Sequence, residues 1–149
     1  MLHAALRQVL GDHTHQAGSL VEPDYLRFDF TAMDPMTPRE LKSVEELVNQ
    51  KIWEAINVET TITDPETGRK MGALALFNGK YGDKVRVVQI DDFSTEFCGG
   101  THCSNTSQIG IFKITSESAV GAGMRRIEAV TSKKAYEYLA ERSSLLDDI

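Results

Sequence analysis

Leu26-Arg27-Phe28-Asp29-Phe30-Thr31-Ala32-Met33-Asp34-Pro35-Met36-Thr37-Pro38-Arg39-Glu40-Leu41 decides the fold, because its apolar period changes from two residues to about 3.6 across one short turn. Leu26, Phe28 and Phe30 alternate with Arg27 and Asp29, which gives a strand with one buried and one wet face. Thr37-Pro38-Arg39-Glu40 then forms a capping box with proline at the first helical position. Behind it Leu41, Val44, Leu47, Val48, Ile52, Ala55 and Ile56 continue an apolar stripe, predicting a helix from Pro38 to about Ile56 that lays this face on a sheet.

Upstream, residues 18–21 read as a strand turned back onto residues 25–30 at Glu22-Pro23-Asp24. Before it, Leu2, Ala5, Leu6, Val9 and Leu10 form a helical stripe that Gly11 is placed to end, while nothing ahead of Leu2 can cap its start. Downstream, the β-branched residues 58–63 and then residues 84–90, 110–116 and 124–130 read as strands, with turn residues and one short helical piece in 64–72. Thr131 is placed to cap a last helix whose apolar positions run at near-heptad spacing to Ile149. Helices between hairpin-like strand pairs predict an α+β two-layer sandwich with a largely antiparallel sheet packed against helices. Both terminal helices read as interrupted, as expected of a domain cut from a longer protein.

Composition narrows the function classes. The 149 residues are 41% hydrophobic and 26% charged, an ordinary soluble balance, and no apolar run approaches a membrane span. There is no signal-peptide pattern and only two cysteines, so a reducing compartment, the cytoplasm, is expected, with Cys98 and Cys103 unpaired. A formal charge of −6 argues against a domain that grips nucleic acid by itself. The densest basic groups are Arg125, Arg126, Lys133 and Lys134, and secondarily Lys80, Lys84 and Arg86, either of which could touch phosphates or be an ordinary solvated face.

Residues 98–103, Cys-Gly-Gly-Thr-His-Cys, set a thiolate and an imidazole four apart in a glycine turn. Zinc takes sulfur and nitrogen donors in sets of four, so Cys98 and His102 are candidates for half a metal site. A C-x3-H pair alone is more commonly a buried free cysteine beside an ordinary loop histidine. His3, His13 and His15 are read as solvated side chains rather than ligands.

Five blocks carry a resemblance that covers essentially the whole chain, in order. They are Gln16-Ala-Gly-Ser-Leu-Val, Leu26-Arg-Phe-Asp-Phe, Met71-Gly-Ala-Leu-Ala-Leu-Phe, Asp92-Phe-Ser-Thr-Glu-Phe-Cys-Gly-Gly-Thr-His and Met124-Arg-Arg-Ile-Glu-Ala-Val. Together they resemble the editing domain of bacterial alanyl-tRNA synthetases. The resemblance implies residues 1–130 as an editing domain and residues 131–149 as the start of a helix leading into the next domain. It implies hydrolysis of tRNA(Ala) mischarged with serine or glycine, contact with the tRNA acceptor end and with the other synthetase domains, and no membrane; ATP binding belongs to other parts of the synthetase. It also implies one zinc ion, held by Cys98, His102 and a histidine pair of an H-x3-H motif that lies upstream of the residues matching Leu2-His3-Ala4. Two of four ligands are therefore absent from this sequence, and weak zinc binding and weak activity are expected of these residues alone.

Gln16 matches a polar position near the family's pocket, where it could contact the substrate or equally be a surface residue at the start of a strand, and Thr101 with the amides of Gly99 and Gly100 could donate to a developing oxyanion, although a glycine turn is more often merely a turn; Gln16 and Thr101 are the candidate catalytic residues. A separate hydrolytic site is needed because an alanine pocket cannot exclude glycine and only weakly rejects serine, differences worth roughly 1–3 kcal/mol. Two other readings stand beside this one: a free-standing trans-editing hydrolase of the same superfamily, and a non-catalytic RNA-binding module that keeps the fold.

Overall fold

The computed structural model describes residues 1–74 and 82–149. In chain order its elements are α1 (Leu2–Leu10), β1 (Gln16–Val21), β2 (Leu26–Thr31), α2 (Pro38–Trp53), β3 (Val58–Thr63), α3 (Pro65–Lys70), β4 (Val85–Ile90), β5 (Ser94–Phe97), a 3-10 turn (Thr106–Ile109), β6 (Phe112–Gly121), β7 (Met124–Thr131) and α4 (Ser132–Asp147). Among the described residues every pair of these named strands is antiparallel, in line with the largely antiparallel sheet expected, and the pairs divide into two sheets of order β1-β2-β7-β6 and β3-β4-β5; an isolated bridge between Leu74 and Glu96 is parallel.

The expected hairpin forms β1 and β2, closed by the Glu22 amide donating to the Tyr25 carbonyl. On β2, Phe28 and Phe30 point into the core, while Arg27 and Asp29 stand opposite Glu128 and Arg126 of β7. The α2 capping box is complete: Thr37 Oγ1 accepts from the Glu40 amide and Glu40 Oε1 from the Thr37 amide. Val44, Val48 and Ile52 are buried from this helix, with Leu41 and Leu47 packed at the margin, so the α2 stripe is the floor of the main core.

That core gathers Ala5 and Leu6 of α1, the α2 stripe, Phe28 and Phe30, Phe112 and Ile114 of β6, and Ile127 and Ala129 of β7. Asn49 sits inside it and turns its amide onto β6: Nδ2 donates to the Phe112 carbonyl at 2.8 Å, and Oδ1 accepts from the Phe112 amide at 2.8 Å. A side chain thereby supplies the pairing that the outer edge of β6 lacks.

The smaller sheet has its own cluster of Val85, Val87 and Phe97, with Met71 and Ala73 at its margin. The helix α3 approaches so closely that a Cβ at Gly68 would lie 2.3 Å from Phe97 Cε1, so only glycine fits there.

Several expectations are corrected. The helix α2 ends at Trp53, and Ala55 takes a positive φ of 51°, turning the chain out of the stripe that was expected to reach Ile56. β5 was not anticipated. Thr131 occupies the N-cap position of α4 but makes no side-chain cap bond. β6 runs on to Gly121, well beyond the expected end at residue 116. Of the block at residues 71–77, residues 75–77 lie outside the described residues, as does Lys80.

Candidate functional site

The loop at residues 98–103 leaves the end of β5 and is held over its first half, at Cys98 and Gly100, by one residue of the neighbouring strand. The Arg86 carbonyl accepts from the Cys98 amide at 3.0 Å, and Arg86 Nη1 donates to the Gly100 carbonyl at 3.0 Å. Both cysteines are free. The Cys98 sulfur bends back over the loop, since a Cβ at Gly100 would lie 3.7 Å from it. Neither Gly99 nor Gly100 has a positive φ, and a Cβ at Gly99 would meet nothing within 4 Å. Among the described residues no turn geometry or close packing demands these glycines, which leave a strip of backbone without side chains.

Phe97 turns into the small apolar cluster, so its neighbours Glu96 and Cys98 turn to the opposite face of the strand. On that face lies the start of α1. His3 Nδ1 stands 3.1 Å from Glu96 Oε1, and His3 Nε2 stands 3.3 Å from the Thr14 carbonyl. Both ring nitrogens thus face oxygen atoms, which fixes the orientation of the ring. His3 is 4% exposed, which corrects its reading as a solvated histidine. It occupies the core-facing stripe of α1 one turn from Leu6, a position that could have identified it.

The charges around the loop act on one another. Burial pushes the Glu96 carboxyl up, but the His3 hydrogen bond and nearby positive charge, that of His3 and His102 included, outweigh it, leaving Glu96 below the ordinary glutamate value. His102 is exposed; loss of hydration against the protein and nearby positive charge, Arg86 included, lower it, and Glu96 opposes them. His102, Glu96, Arg86 and the head of α1 therefore form one electrostatic patch.

The other site candidates are dispersed. Thr101 is exposed on the loop between Gly100 and His102. Gln16 opens β1 on the larger sheet, opposite Phe30, and its amide donates to Ser19 Oγ at 3.0 Å rather than to the loop. His13 and His15 are exposed, as expected. The basic group at residues 125–134 is largely neutralised: Arg125 pairs with Glu117, Arg126 with Asp29, Lys133 with Glu137, and Lys134 with Asp24 and Glu137. Among the described residues no three His, Cys, Asp or Glu side chains are grouped to hold a metal ion. Cys98 and His102 supply two donors, so the residues present do not by themselves fit a tetrahedral zinc ion.

Comparison with known proteins places these observations in a family. Residues 85–128, which carry β4, β5, the loop and most of the β6–β7 hairpin, match the family described as the threonyl and alanyl tRNA synthetase second additional domain. All 149 residues align with alanine–tRNA ligases, at 89% identity in Lactobacillus helveticus, 88% in Lactobacillus acidophilus and 80% in Lactobacillus delbrueckii subsp. bulgaricus. The chain spans 17% of the length of each of these relatives. No helix among the described residues is long and apolar enough to cross a membrane. The chain thus belongs to the alanyl-tRNA synthetase family, as a segment carrying its second additional domain.

Proposed function

We propose that these residues are the hydrolytic editing module of a cytoplasmic alanine–tRNA ligase, cleaving the ester that joins serine or glycine to tRNA(Ala). The observation that carries the proposal is the loop at residues 98–103. A thiol, a bare glycine strip, a threonine hydroxyl and an imidazole follow one another on a segment strapped by Arg86 and set against a buried His3–Glu96 pair. Such an arrangement suits a small polar ester: backbone amides and Thr101 to donate to a developing oxyanion, and charged groups held away from bulk water.

The tRNA itself is expected to be positioned elsewhere. With a charge of −6 and the Arg125 to Lys134 group tied up in ion pairs, the segment offers few free cations to phosphates, and other parts of the ligase would carry the acceptor end to the loop. Zinc belongs to the proposal only for a full-length ligase in which a histidine pair completes the donor set begun by Cys98 and His102. Metal analysis of this chain, against a version extended upstream through that pair, tests this part separately: one zinc per extended chain, and far less in the shorter one.

The test of the function is Cys98→Ala in a full-length ligase carrying these residues. Deacylation of seryl-tRNA(Ala) is expected to fall by about 100-fold or more, with alanine charging within about twofold of the parent. Undiminished deacylation would remove the loop from the reaction.

A further inference from the structure

Glu96 is an unusual residue for its place. It lies on a four-residue strand with its side chain only 17% exposed, opposite Val88 in the register and back to back with the buried Phe97. A carboxylate so placed loses hydration that its partners must offset. One oxygen, Oε1, is engaged by His3, and no hydrogen bond is made to Oε2 among the described residues. If the pair served only to pin α1 to the smaller sheet, a neutral glutamine would give His3 the same acceptor without the cost of burying a charge.

Two further observations describe the surroundings of this carboxylate. Glu96 lines a cleft of about 720 Å³ between α1 and the smaller sheet, with Ala4, Leu74, Gln89 and Thr95 among its walls. That volume falls within the range of small-molecule pockets, about 300–1,000 Å³. Cys98 is two residues along the chain, directly after the end of the same strand.

Every aminoacyl ester of tRNA carries, one carbon from the scissile carbonyl, an α-ammonium group: a compact cation with three donors. A mostly buried carboxylate with one oxygen fixed, and the other without a hydrogen bond among the described residues, is a fitting acceptor, and charge-assisted hydrogen bonds of this kind are short and directional. Resting on the editing reading above, we propose that Glu96 is a substrate-positioning residue whose second carboxylate oxygen, Oε2, accepts the α-ammonium group of the aminoacyl ester, while His3 holds the carboxylate in place through Oε1. Contact with the ammonium orients the carbonyl over the loop. It does not distinguish serine from alanine, since both bring the same ammonium; it sets the rate for any ester that enters.

The experiment uses a full-length ligase carrying these residues, its Glu96→Gln variant and two esters of tRNA(Ala): seryl, and glyceryl, in which a hydroxyl replaces the amine. Glutamine keeps an acceptor for His3, and unchanged alanine charging reports an intact protein. Glu96→Gln is expected to lower kcat/KM for the seryl ester by about 10- to 100-fold and to leave the glyceryl ester unchanged. The same loss is expected for glycyl-tRNA(Ala). An undiminished seryl rate, or an equal loss on both esters, would overturn the assignment. Failure of the parent ligase to hydrolyse the seryl ester would instead overturn the editing reading itself, so the two failures are told apart.

Discussion

Phe30, Ile127 and Ala129 of the four-stranded sheet are fully buried beneath α1 and α2, whereas the three-stranded sheet closes a cluster of only Val85, Val87 and Phe97 among the described residues. The candidate site belongs to the smaller sheet, yet its charged groups face α1, which belongs to the larger core. The difference separates two tasks. A well-packed half fixes the position of α1; a thinner half presents the loop at residues 98–103, held by Arg86 and the His3–Glu96 contact rather than by bulk burial.

The largest expected effect contrasts one phenylalanine from each sheet. Phe30→Ala opens a cavity in the main core and is expected to cost about 3–5 kcal/mol in urea unfolding, with loss of structure throughout. Phe97→Ala is expected to cost less and to accelerate amide exchange mainly in residues 85–105, leaving β2 and β7 protected. Equal global losses from both would erase the distinction between the sheets.

Asn49→Ala sharpens the same contrast from the other side. It leaves the Phe112 amide and carbonyl without their side-chain partner inside the main core, and a loss of about 1–3 kcal/mol in chemical denaturation is expected. A loss confined to a few tenths would mean that water replaces the amide and that this edge of the core is wetter than its burial indicates.

The smallest effect lies on the outer face of the larger sheet. The Arg126 guanidinium, bonded to both oxygens of Asp29, holds that carboxyl below the ordinary aspartate value against the opposing effect of burial. A lowered value in the folded state means that the ionised pair stabilises the fold at pH values above the ordinary one. Asp29→Asn is therefore expected to lower Tm by only about 2 °C at neutral pH. The deficit should vanish as acid titrates the parent through the lowered value. A deficit that persisted there would assign the effect to packing rather than to charge.

How much of this was legible in the sequence depends on the range of the interaction. The α2 capping box and the alternation in β2 are local, and both appear where the residues placed them. The overrun of α2 to Ile56 arose because Ala55 and Ile56 fit the stripe while the chain takes a positive φ at Ala55, which an alanine does not announce. β5 was hidden because four residues ahead of a glycine turn give too short an alternation to read. The partnership of His3 with Glu96 spans 93 positions and could come only from the fold; so could the neutralisation of Arg125 and Arg126 by Glu117 and Asp29. Cys98 and His102 were visible as a pair, and the carboxylate beside them was not, because its meaning depends on the helix packed over it.

Amide hydrogen exchange of the 149-residue chain, resolved by peptide, is the most direct measurement of the division between the sheets. Amides of β2 and β7 are expected to exchange only through global unfolding, and those of β4 and β5 at least about tenfold faster through a local opening that carries residues 98–103 with it. Indistinguishable exchange in the two sheets, shifting together with added denaturant, would show one cooperative unit and contradict the separation of scaffold from site.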